Sequence, residues 1–155
     1  MKKTKKNMDQ IRPGTKSGRC LYCSKTIIFR SADGIYKENN RNTMLYVCSG
    51  YPICDAYVRV IPGTKVPVGS MANGNLRALR KEAHAQFDKL YLTELMTRSQ
   101  AYEWLAGILQ VPLSKAHIGQ LGEYYCRQII AESQRLLENR HKTHSKKLEI
   151  SGEAI

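Results

Sequence analysis

The spacing of apolar residues changes character near residue 74. Before it, hydrophobic, β-branched and aromatic residues come in short runs, Thr26–Arg30, Thr43–Cys48 and Ala56–Ile61, which predict strands. Ala32-Asp33-Gly34 and Asn39-Asn40-Arg41-Asn42 supply turn chemistry between them. The stretch Pro62-Gly63-Thr64-Lys65-Val66-Pro67-Val68-Gly69 is rich in proline and glycine and reads as a connector. Asn73-Gly74-Asn75 then offers an N-cap, and Leu76, Leu79, Ala83, Phe87 and Leu90 recur at helical spacing as one apolar stripe. A second helix is predicted over Arg98–Leu109, with Ala101, Tyr102, Leu105, Ile108 and Leu109 inward. Pro112 breaks it, because proline disfavours helix in the residue before it. Ser114 is placed to cap a third helix running to about Asn139, with Ile118, Leu121, Tyr125, Ile129 and Leu136 on its buried side.

Chemistry enters with the cysteines. Cys20, Cys23, Cys48 and Cys54 give the spacing C-x2-C-x24-C-x5-C, so four of the five cysteines fall in two close pairs. Tetrahedral Zn²⁺ takes four such soft ligands, and turns flanking a β hairpin bring them together. The plainer readings are two ordinary turns that carry cysteines, or a disulfide pairing. The pairing in sequence argues against the first, and a reducing compartment against the second. With four thiolates the site is closed and leaves no position for an activated water, so one zinc is expected to be structural. Cys126 falls on the third helix and reads as buried and inert. The predicted fold class is α+β, a four-cysteine zinc ribbon of small antiparallel β structure followed by a three-helix unit. The expected segments are a basic flexible arm at 1–17, the ribbon at 18–63, a linker at 64–75, a helical domain at 76–140 and a basic flexible tail at 141–155.

Charge narrows the partners. The chain of 155 residues carries 25 Lys+Arg against 13 Asp+Glu, a formal charge of +12, concentrated toward the two ends. Such an excess makes a polyanion the first partner to consider, although Lys-rich ends also serve simply as solvated tails. No apolar run is long enough for a membrane span, and no apolar stretch follows the basic start as in a secretory signal. A cytoplasmic location is therefore expected. Five of the tyrosines and Phe29 interleave with Lys25, Arg30, Lys37, Arg41 and Arg59. Aromatic faces stack unpaired bases while cations follow phosphates. At least half of these rings are expected to be core, with Tyr22 and Tyr51, on the knuckle loops, exposed. Lys25, Arg30, Arg41 and Arg59 are the candidate phosphate contacts.

Two other readings compete. Trp104–Leu121 has a loose helix-turn-helix pattern, but its turn is long and its second segment offers few cations. His84 and Asp88, one helical turn apart, with His117, are the residues on which a metal-dependent nuclease would rest. No activated nucleophile, glycine-rich phosphate loop or open metal site accompanies them, and a structural histidine is the simpler expectation.

Tyr46-Val47-Cys48-Ser49-Gly50-Tyr51-Pro52-Ile53-Cys54 resembles the C-terminal zinc ribbons of bacterial type IA topoisomerases over about residues 18–60. Leu21 and Tyr22 stand where those ribbons usually carry proline, and the central spacer is longer. That resemblance implies a capacity for single-stranded DNA. The chain from about Cys20 to Ile130 also resembles small zinc-finger-containing proteins of phages, prophages and integrated elements. The residues that carry this likeness are Tyr51–Val58, Pro67–Asn73, Leu76-Arg77, Ala83-His84, Phe87-Asp88, Arg98, Ala101-Tyr102, Trp104-Leu105 and His117-Ile118-Gly119. It implies zinc and a mobile-element setting. The expected function is a non-enzymatic, zinc-dependent nucleic-acid binder, with DNA, single-stranded or structured, ahead of RNA. A protein-interaction module acting on a host protein is the alternative, and a nuclease ranks below both.

Overall fold

The computed structural model describes residues 18–152, with side chains described for 18–143. The arm expected at 1–17 lies outside the described residues. The chain divides between Arg77 and Ala78 into two units.

In the first unit, β1 (Ile27–Ser31), β2 (Met44–Cys48) and β3 (Tyr57–Arg59) form an antiparallel sheet in that order. Ile27 pairs with Cys48 and Ser31 with Met44, while Leu45 pairs with Arg59 and Val47 with Tyr57. Asn39 sets the register of the first hairpin. Its carbonyl oxygen accepts from the Thr43 N–H at 2.7 Å, and its amide donates to Asp33 Oδ1 at 2.8 Å. The central strand β2 is covered on both faces, as alternation requires. Leu45 and Val47 pack with Ala32, Ile35, Tyr36, Tyr51 and Tyr57 on one face. Cys48 packs on the other with Cys20, Ala56, Val58 and Met71, flanked by Ile27, Tyr46 and Cys54.

Residues 64–75, expected as a linker, are part of this unit. The chain turns at Pro62-Gly63 and returns along β3, with Val68 N–H donating to Arg59 O at 2.9 Å and Tyr57 N–H to Ala72 O at 3.0 Å. Met71 and Ala72 are each only 1% exposed. The segment carries Pro67 at an edge, where a missing N–H costs no ladder bond, and that is why its composition looks like a connector.

The second unit is helical. Asn73 caps α1 (Gly74–Leu92) by accepting from the Leu76 N–H at 3.0 Å. Ala83, Phe87 and Leu90 form its buried face. The Phe87 ring meets Tyr91 and Tyr102 edge-on and stacks against Trp104, with centroids 5.1–6.4 Å away. Helix α2 (Arg98–Leu109) starts at Thr97 in a reciprocal capping box with Gln100. It buries Ala101, Leu105, Ala106 and Leu109.

The third helix does not begin at Ser114. Residues Leu113–Lys115 and Ile118–Gln120 form two short 3-10 turns separated by an extended His117, and α3 (Glu123–Gly152) starts eight residues later than expected, after Gly122. Ile118 and Leu121 are still buried, so the helical spacing read from them arises from 3-10 turns, which also bring i and i+3 to one side. No recognition helix follows α2 at the required distance, and the helix-turn-helix reading falls. Helix α3 buries Cys126, Ile129 and Ser133 and runs through the segment expected as a flexible tail, as far as Gly152. No proline or glycine interrupts residues 123–151, so nothing local stops the helix at Asn139.

If 64–75 belongs to the β unit, Met71→Ala should destabilise the zinc-loaded protein by about 2–5 kcal/mol through the cavity it leaves. The exposed Val66→Ala should stay within about 0.5 kcal/mol. Urea denaturation followed by circular dichroism checks both. Equal, small effects would return the segment to linker status.

Candidate metal centre

Two loops deliver the four sulfurs. The first closes when Cys20 N–H donates to Lys25 O at 2.7 Å and Ser24 N–H to Cys20 O at 2.9 Å, with Ser24 at a left-handed φ of 63°. The second closes when Cys54 N–H donates to Gly50 O at 3.1 Å. The β1–β2 pairing sets the loops side by side, because Ile27 faces Cys48 across the ladder. The four Sγ atoms lie within 4.8 Å of one another, with Cys20 to Cys54 at 3.7 Å and Cys23 to Cys48 at 3.3 Å. A tetrahedron with Zn–S bonds of about 2.3 Å has edges of about 3.8 Å, so the donor set fits one zinc. All five cysteines are free thiols.

Each of the four sulfurs also receives a backbone N–H two residues further on where the geometry is resolved. Tyr22 N–H reaches Cys20 Sγ and Gly50 N–H reaches Cys48 Sγ, both at 3.4 Å. Lys25 N–H does the same for Cys23, and Ala56 N–H for Cys54. Such bonds stabilise thiolate over thiol. The Lys25 N–H, followed by the neighbouring Cys48, lowers the exposed Cys23 thiol to about 7. Burial dominates at Cys48, which is pushed up to about 12, and it also raises Cys54. Cys126 is raised by burial too, and it belongs to the helical unit.

Residues 16–136 match the profile of a family described as a zinc-finger-containing domain. The chain belongs to that family. No curated protein and no solved structure matches it. In this zinc-finger-containing domain, the four cysteines are positioned for one structural zinc. The metal supplies a cross-link between the two loops, and closed four-sulfur ligation gives it no open coordination position.

The structure separates the other candidate residues. Tyr22 stands at the tip of the first loop, 44% exposed, beside Leu21 at 57%. Tyr51 differs from expectation: it is half-buried against the Leu45 and Val47 cluster, because the turn at Gly50 directs it onto the sheet. Lys25 lies across Gly50, where an added Cβ would come within 3.1 Å of its Cδ and 3.5 Å of its Nζ. Four thiolates with Zn²⁺ carry a net charge of −2, so this ammonium offsets part of the centre's own charge. Arg30 spends its guanidinium on the carbonyls of Ser31 and Asp33, at 3.1 and 2.8 Å. Arg41 and Arg59 line one cleft. On the helical side His84 is exposed, Asp88 accepts from Tyr91 Oη at 2.7 Å, and His117 Nε2 lies 2.9 Å from Ser114 O.

Three features escaped the sequence reading. Phe29 is 37% exposed, in contact with Tyr46 and with the Lys65 ammonium 5.8 Å above its ring. Its place in the sequence does not single it out for exposure, but β1 is the sheet edge and is mostly uncovered. Ile53 is 97% exposed on the second loop. Asp55, next to Cys54, accepts from the Gly74 N–H at 3.1 Å and pairs with Arg77 at 3.4 Å. Arg77 also donates to Asp55 O and Ala72 O and covers the Tyr57 ring at 3.7 Å. The first turn of α1 has no acid of its own, so Asp55 provides the negative charge that a helix N-terminus favours.

Metal analysis should give one zinc per chain, unchanged in Cys126→Ser and lost in Cys48→Ser. A strong chelator should abolish the near-UV signal of the ribbon tyrosines, and its survival after complete zinc removal would refute a folding role for the metal. Because Cys48 and Cys54 hold their protons above the usual thiol range, zinc must displace at least two protons near neutral pH. Apparent affinity should therefore fall by at least about a hundredfold per pH unit as pH drops below about 7. Competition with a chromophoric chelator at several pH values measures that slope.

Proposed function

We propose that the chain is a non-enzymatic, zinc-dependent nucleic-acid-binding protein whose target is DNA in single-stranded or structured form. The observation that carries this reading is Tyr22. Its ring is exposed at the loop tip while its own N–H is bonded to the Cys20 sulfur, so the metal centre holds a stacking face rigidly in solvent. Lys25 follows three residues later, and Phe29 with Lys65 offers a second aromatic–cation pair on the sheet edge. Base stacking of this kind tolerates any sequence and contributes about 1–3 kcal/mol per base. The formal charge of +12 supports the same partner class. The resemblance to type IA topoisomerase ribbons favours single strands. The resemblance to phage and prophage proteins favours a mobile-element origin and action in a host cytoplasm. No helix among the described residues is long and apolar enough to cross a membrane.

A second reading rests on Ile53. An aliphatic side chain 97% exposed on a metal-braced loop suits an apolar anchor for a host protein better than a phosphate chain. Salt separates the two readings. Fluorescence anisotropy of the zinc-loaded protein with single-stranded DNA, duplex DNA and RNA should show single-stranded DNA bound most tightly, with affinity falling steeply as salt rises. Tyr22→Ala should weaken that binding about tenfold, and Tyr51→Ala should act chiefly on stability. Weak, strand-blind binding would leave the host-protein reading in place.

A further inference from the structure

A cleft of about 310 Å³ opens at the end of the sheet, between the last residues of the first hairpin loop and the Ile61–Thr64 turn. Its size falls in the range of small-ligand pockets, whereas a contact that merely follows a phosphate chain needs no cavity. Arg41 and Arg59 both line it, and no carboxylate does. Among the described residues neither arginine has an ion pair or a hydrogen-bond acceptor, in contrast to Arg30 and Arg77, whose guanidinium groups each donate to two backbone carbonyls. Two arginines lining one concave site bring two positive charges to it, which an anion bound there would offset. Met44, Ile61 and Pro62 provide apolar wall beside them. Thr64 fixes the turn, its hydroxyl donating to Ile61 O at 2.8 Å and accepting from Val66 N–H at 3.1 Å.

The charge match selects among phosphates. A phosphodiester carries one negative charge, but a phosphomonoester carries about −1.5 to −2 at pH 7. Guanidinium forks recognise its oxygens bidentately. The apolar wall suits the sugar or base attached to it. We propose that this cleft binds a phosphomonoester on a nucleoside, either the 5′-terminal nucleotide of a nucleic-acid strand or a free nucleoside monophosphate. The strand-end form rests on the nucleic-acid reading above, and the free-nucleotide form does not.

The test compares zinc-loaded protein with one single-stranded DNA oligonucleotide bearing either a 5′-phosphate or a 5′-hydroxyl, and with adenosine 5′-monophosphate against adenosine. Arg41→Gln/Arg59→Gln is run in parallel, after zinc content and circular dichroism show it folded. The strand-end form expects the 5′-phosphorylated strand to bind at least about tenfold tighter, with the difference abolished in the double variant and adenosine monophosphate a poor competitor. The free-nucleotide form expects adenosine monophosphate to bind at least about tenfold tighter than adenosine, again only with both arginines, whatever the strands do. The proposal is overturned if neither pair of ligands is distinguished by the wild-type protein, or if the distinction survives in the double variant. Salt-steep binding of both strands alike, with adenosine monophosphate bound no better than adenosine, would overturn the cleft while leaving the nucleic-acid reading intact. Adenosine monophosphate binding with no strand binding would do the reverse.

Discussion

Four sulfurs converging on one point hold the β unit in shape. Three strands of five, five and three residues give little area to bury, and an isolated sheet of that size is marginal in water. Cys20 and Cys54 are 34 residues apart, so their meeting closes a long loop that local turns alone do not close. Structural zinc in small fingers binds with about 10–16 kcal/mol of apparent free energy, comparable with the net stability of a whole domain. The rest of the unit is organised around that cross-link. Cys20 and Cys48 are at once donors and members of the apolar cluster that includes Val58 and Met71. The metal centre is therefore part of the hydrophobic core.

Much of this was legible in the residues because it depends on short-range rules. The cysteine spacing pointed to the donor set, β-branched and aromatic runs with turn residues to the three strands, and the Phe87 stripe and the apolar residues of Arg98–Leu109 to the first two helices. Long-range pairing was not legible. Nothing local in Val68, Met71 and Ala72 says that they return along β3, and proline and glycine gave the segment the look of a spacer. The start of α3 failed for another reason: 3-10 turns and an α-helix place apolar residues at similar intervals, so Ile118 and Leu121 could not distinguish them. Exposure was the least legible property. Tyr51, expected in solvent, is half-buried, while Phe29 on the edge strand is exposed, and composition does not carry that information.

Positive charge in this fold divides into employed and unemployed side chains. Arg77 and Arg30 hold backbone carbonyls, and Lys25 leans over a centre that is itself negative when loaded. Among the described residues, the charge available to a polyanion is thus smaller than a count of cations suggests. Solvent-facing rings are likewise confined to a few places, Tyr22 and Phe29 in the ribbon and Tyr124 and Tyr125 at the start of α3. A surface of that kind favours contacts at defined points over diffuse attraction.

The Asp55 carboxylate has an implication for how the protein can be divided and varied. A methyl group at position 74 would sit 2.6 Å from its Oδ2, so even alanine there forces the knuckle and the helix start apart. Together with Met71 and Ala72, this makes the ribbon's natural boundary Arg77, fourteen residues beyond the change in composition at Gly63. A ribbon transplanted into another protein with its end at residue 63 would arrive with one flank of its core open and the ligand-bearing loop unanchored. Modularity here follows hydrogen bonds and burial, and the graftable unit carries the first turn of a helix with it.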